Sequence, residues 1–166
     1  MSSNTVRTLV AVTLFALSAG VVHATDADTQ KQLDALKSGL PKFAVPMREV
    51  GDRFQNMYDA AKGSNWALAA YMSKYMNGAM NPAKVTKPDE YKVWQSFYEG
   101  DFATVNKAIQ AKDLKAFEKE YTAVITSCNG CHKGMGYGFI KVIKQKTASD
   151  IGIDYKVKSE PGDVPK

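Results

Sequence analysis

Leu114, Phe117, Tyr121, Val124, Cys128 and Cys131 follow one another at steps of 3, 4, 3, 4 and 3 residues. That spacing returns each side chain to one face of an α-helix and matches no face of a strand. It predicts a helix of about five turns with a single apolar seam, and both cysteines continue that seam. A seam of this kind stays out of water only if other helices cover it.

The covering helices are legible upstream. Pro46 suits a first turn, where its missing N–H costs nothing. From there Met47, Val50, Phe54, Met57 and Ala61 step by 3, 4, 3 and 4 to Gly63, and Ser64 is expected to cap the next helix. That second helix is predicted from about Asn65 to Met76, with Trp66, Leu68, Ala69, Met72, Tyr75 and Met76 buried. Gly78, Asn81 and Pro82 break it, and residues 78–88 form a longer connection. A third helix begins near Pro88, with Tyr91, Trp94, Tyr98, Phe102, Val105 and Ile109 on its seam and Gly100 as its weak point. Asp113 is the expected N-cap of the fourth. No strand is predicted. Short turns joining the first helix to the second and the third to the fourth make those pairs antiparallel neighbours. The expected fold class is all-α, an up-down-up-down four-helix bundle.

The chain ends read differently. Met1 to Arg7 is short and polar with one positive charge, Thr8 to Val22 is an uncharged apolar run, and Val22-His23-Ala24 offers small residues to a signal peptidase. These features predict a secretory signal peptide over residues 1–24, cleaved after Ala24. The run of 15 residues is shorter than the roughly 20 that a spanning helix needs, so no stable membrane insertion is expected after cleavage. Residues 25–45 form a polar lead-in, in which Asp28 to Leu36 can make a turn or two of helix before Gly39 and Pro41. Residues 46–146 are the helical domain. Phe139 to Ile143 is expected to start another short element, and residues 147–166, with Pro161 and Pro165, form a mobile tail.

Removal of the signal leaves 21 basic and 17 acidic residues, a charge of +4, too mild to imply a nucleic-acid partner. It also removes His23, so His132 is the one remaining histidine, and Cys128 and Cys131 are the two cysteines.

Cys128-Asn129-Gly130-Cys131-His132 has the form Cys-x-x-Cys-His. Cysteines three apart on a helix share a face one turn apart and can form thioethers with the two vinyl groups of one haem. The next imidazole can then bind the iron, and small Gly130 leaves room for the ring. The rival uses of two cysteines fit less well. A thioredoxin-like pair wants a βαβ context, a zinc site wants a second pair of ligands, and a disulfide within one helical turn is strained. One covalently attached haem c is therefore the expected cofactor, held by Cys128, Cys131 and His132 near the C-terminal end of the fourth helix.

A signal peptide, four helices and a Cys-x-x-Cys-His motif late in the chain resemble the class II c-type cytochromes, the cytochrome c′ and cytochrome c-556 type. The resemblance covers roughly residues 40–146, and the 34 residues after His132 exceed what is usual for the class. It implies a periplasmic, non-enzymatic mono-haem protein, possible homodimers, and two options for the far side of the iron. Members similar to cytochrome c-556 place a methionine there and carry electrons. Cytochrome c′ members leave that face open or apolar and bind nitric oxide or carbon monoxide.

Up-down topology puts the start of the first helix at haem level, so Met47 is the expected sixth ligand, with Met76 and Met80 behind it. Met57 is ten residues further along the seam, about 15 Å away. Met135 is too near His132 in sequence to reach the opposite face. Methionines on apolar stripes also serve as plain core filler. Tyr91, Trp94, Phe54 and Tyr121 are expected as core or pocket walls. Lys133, Lys141, Lys144 and Lys146 are either a solvated surface or a basic face for an acidic redox partner. The function expected first is one-electron transfer, the second gas binding. Peroxidase-type chemistry is weaker, because the distal candidates are apolar and offer no acid–base group.

Overall fold

The structure is a computed structural model, described here for residues 24–148 and 152–158. All regular structure among those residues is α-helical. The expected signal segment falls on residues 1–23, outside them, together with Ala24, which opens a helix.

Helix α1, Ala24–Gly39, belongs to a unit of its own that ends at Leu40. It runs 16 residues, well beyond the turn or two expected over Asp28 to Leu36. Its ends explain the extra length. Asp26 lies in the first turn and Lys37 in the last, each complementing the helix dipole, and Gln30 donates to Asp34 one turn on at 3.0 Å.

The second unit starts at Pro41. Its helices are α2 (Ala44–Lys62), α3 (Trp66–Ala79), the single turn α4 (Ala83–Thr86), α5 (Pro88–Glu99), α6 (Ala103–Ala111) and α7 (Leu114–Gly134). Helix α2 begins two residues before Pro46, whose ring still falls in the first turn, where the N–H is not needed. Ser64 does not cap α3. It takes a left-handed conformation (φ 63°) that closes the end of α2, and Asn65 Oδ1 accepts the Leu68 amide at 3.0 Å instead. Helix α7 is capped as expected, with Asp113 Oδ1 accepting the Ala116 amide at 3.0 Å.

The expected third helix is two helices. The chain breaks at Gly100, where a Cβ would stand 2.8 Å from the Ser96 carbonyl oxygen. The break lets Phe102 turn inward and become fully buried. Tyr75 is a second difference: it is 47% exposed and lies against Tyr71 at the surface.

The core is aromatic at its centre. Phe54 of α2 stacks on Tyr121 of α7 at 4.1 Å between ring centroids, and Tyr58 meets Phe117 one turn on. Tyr58 also donates to Glu118 at 3.0 Å. Lys62 beside Glu118, with that Tyr58 bond, holds the carboxyl below its ordinary range. The order of partners along α2 reverses along α7. Further out, α2 packs on α3, α3 on α6, and α6 on α7. Phe117, Tyr121 and Val124 are all buried, so the α7 seam faces inward as its spacing predicts. Phe117→Ala should cost about 3–5 kcal/mol, through lost burial and the cavity left behind. Urea denaturation followed by circular dichroism checks this; a loss below about 1 kcal/mol would show that Phe117 does not hold the core.

Within the expected tail, residues 152–158 lie against the helices. Tyr155 donates to buried Asn56 at 2.9 Å, and Ile153 and Tyr155 pack against the core. The approach needs a glycine beneath it, since a Cβ on Gly63 would fall 2.0 Å from the Tyr155 carbonyl oxygen. No helix among the described residues is long and apolar enough to cross a membrane.

Candidate functional site

The last two turns of α7 carry Cys128, Asn129, Gly130, Cys131 and His132. Lys133 stands in the final turn, where positive charge suits the carbonyl end of a helix. The helix closes when the Met135 amide bonds the Cys131 carbonyl at 2.9 Å and Gly136 swings to φ 82°. Glycine takes that conformation at little cost, which is why helices so often stop on one. The chain then doubles back over the motif. Phe139 to Ile143 forms no regular element; it is an irregular loop held by hydrogen bonds.

Cys128 packs against the core beneath Val124, and Cys131 is half-buried. Burial, and then the neighbouring Cys131, push the Cys128 thiol up to about 12. Burial raises Cys131 as well. Both thiols are free and protonated at neutral pH, with no disulfide between them. The imidazole of His132 is fixed from one side: its Nδ1 lies 2.9 Å from the Ile140 carbonyl oxygen. A carbonyl can only accept, so Nδ1 carries the proton and donates. In the neutral ring this puts the lone pair on Nε2, the form of histidine that binds a metal.

A cleft of about 550 Å³ opens beside the motif, between α5 and α7. Gly130 and Cys131 form one wall, Val93 and Phe97 the other, with Lys92, Ser96, Asp101 and Ser127 at polar positions. A Cβ on Gly130 would meet no atom within 4 Å, so the helix wall there is open to a flat group. The volume falls in the range of about 300–1,000 Å³ typical of clefts that hold small molecules and cofactors.

Met47 does not line this cleft. It is half-buried on α2 and packs against the core. Its register is informative. Met47 lies seven residues before Phe54, and Cys128 seven after Tyr121, so the stacked Phe54–Tyr121 pair is one heptad from each. Helices of opposite sense therefore carry Met47 and Cys128 to the same level. Met76 and Met80 are fully buried near the end of α3, Met57 is buried mid-core, and Met135 is partly exposed beyond the end of α7.

The structure thus brings Cys128, Cys131 and His132 together with three groups that sequence reasoning passed over: the Asn129 amide, the Ile140 carbonyl and the Val142 backbone. Gly134, Gly136 and Gly138 signal that the chain turns after the motif, but nothing in their spacing says where the returning loop lands. Among the four lysines, Lys144 is engaged, its ammonium 4.5 Å from the centre of the Tyr58 ring. Comparison with models of known families, with curated proteins and with solved structures finds no match.

Proposed function

We propose that this chain is a periplasmic mono-haem c-type cytochrome that transfers one electron, built as an up-down-up-down four-helix bundle of the class II kind. The observation that carries the reading is the state of His132. Its Nδ1 is occupied by the Ile140 carbonyl and its Nε2 is free, one residue from Cys131 and one helical turn from Cys128. The donor set suits a haem: two thiols one turn apart, an imidazole beside them held through its Nδ1, and an open glycine wall on a cleft of sufficient volume.

Each thiol would add its S–H across one vinyl double bond of the ring, sulfur to one carbon and hydrogen to the other. Nothing leaves, and no external oxidant or reductant is consumed. The two raised thiols are poor nucleophiles unaided, which fits attachment by dedicated machinery after export. Bound haem supplies a one-electron couple at its iron. His132 would hold the iron from one side, and Phe97 and Val93 would give the ring an apolar wall. On the other side Met47 is the proposed ligand, supported by its level opposite Cys128. A methionine there favours reduced iron and raises the potential. From Tyr121 to Ser149 the chain contains no acid but carries Lys133, Lys141, Lys144 and Lys146, which suits an acidic redox partner.

Gas binding is the second reading, and it is favoured by the absence of Met47 from the cleft lining. Optical spectra of both oxidation states, with and without carbon monoxide, separate the two. Electron transfer predicts a low-spin protein whose reduced spectrum carbon monoxide changes little. A high-spin protein that takes up carbon monoxide at once would favour gas binding.

A further inference from the structure

We propose that Asn129 is a positioning residue for the axial imidazole: its side-chain amide holds the returning loop so that the Ile140 carbonyl stays on His132 Nδ1. This rests on the haem-binding role of His132 proposed above and adds the residue that tunes it.

The loop's other ties are local turn bonds, Tyr137 amide to His132 carbonyl at 2.6 Å and Ile140 amide to Tyr137 carbonyl at 2.8 Å, and the contact of Lys144 with the Tyr58 ring beyond it. Gly136 and Gly138 give its first half wide conformational freedom. Its apolar side chains do not anchor it either: Phe139 is 81% exposed, Ile143 63% and Ile140 49%. Val142 is the exception, half-buried against the core. There Asn129 makes a reciprocal pair. Its Nδ2 donates to the Val142 carbonyl and its Oδ1 accepts the Val142 amide, both at 2.9 Å. The arrangement copies what one strand residue offers another, and it needs a side chain with a donor and an acceptor side by side. Among short side chains only asparagine has both. The pairing also fixes the orientation of the amide, because the reverse would set donor against donor.

Ile140 lies two residues before Val142, so pinning Val142 pins the Ile140 carbonyl on the imidazole. Nδ1–H to carbonyl bonding increases electron density at Nε2 and makes it a stronger donor. A stronger donor stabilises oxidised iron more than reduced iron. Release of the clamp should therefore weaken the Nδ1 bond and shift the couple toward the reduced form. The two hydrogen bonds are each of ordinary strength, so release need not unfold α7.

The test uses the matured haem protein in four forms: wild type, Asn129→Leu, Asn129→Ala and Asn129→Gln. Leu keeps the volume without the polar pair, Ala guards against a packing failure of Leu, and Gln can re-form the pair from one carbon further out. Intact mass is read first, then hydrogen exchange at the Val142 amide and the midpoint potential. Expected are covalent haem in all four, Val142 exchange at least about tenfold faster in Leu and Ala, and a higher potential in those two. At a fixed ambient potential their reduced fraction relative to oxidised should rise several-fold, with Gln returning toward wild type. Haem-bearing Leu and Ala variants with unchanged potential would overturn the role of Asn129 and leave the cytochrome reading standing. A wild-type chain without haem would overturn both.

Discussion

With Cys128 and Cys131 both replaced by Ala, the exported chain should hold no haem against acidic organic solvent. Any ring that still associates would do so through His132 alone and should extract completely. The expected effect is all-or-none, because the two thioethers are the covalent links the motif can supply. Single variants should differ. Cys131→Ala keeps the sulfur that packs against the core, whereas Cys128→Ala keeps the one on the cleft wall. Either should retain one thioether and release its ring only with the chain. Haem absorbance that stays with the polypeptide of the double variant would point to another attachment chemistry.

Met47→Ala should convert the iron from low-spin to high-spin, lower the potential and admit carbon monoxide. Stability should fall too, toward the lower part of the roughly 2–5 kcal/mol expected for truncating a core methionine, since Met47 is only half-buried. A stability loss alone therefore says nothing about ligation, because a filler methionine would give the same. Spin state is the readout that packing does not move. Met76→Ala serves as the control, being fully buried at the end of α3. It should cost stability and leave the spectrum alone. If Met47→Ala leaves the iron low-spin, Met47 is core filler.

The sequence spoke clearly where one periodic face decides structure. The α7 seam, the Pro88 start of α5 and the Asp113 cap are all local, and each is where spacing and capping chemistry put it. The misses are also physical. Ser64 and Asn65 are both good caps; Ser64 takes the left-handed turn after Gly63, which leaves Asn65 at the capping position. Gly100 was visible as a weakness, but whether a weak point bends or breaks depends on Phe102 finding a buried site against Phe54 and Tyr98. Tyr75 lies on the helical period of α3 but outside the arc that α2 and α6 cover. The partnerships of Tyr155 with Asn56 and of Asn129 with Val142 join residues 99 and 13 apart in sequence. No local pattern encodes such pairs. At the candidate site, the chemistry proposed for Cys-x-x-Cys-His rests on the residue types themselves. The groups that orient His132 are a backbone carbonyl and an amide side chain at an "x" position, and neither leaves a signature in a motif.

The most direct measurement is the intact mass of the denatured wild-type chain, exported in cells with haem-attachment machinery and followed by peptide mapping. The expected result is a chain heavier by one haem, carried on the peptide that contains Cys128 and Cys131. A chain at its bare polypeptide mass after such maturation, with both thiols free to alkylate, would contradict it.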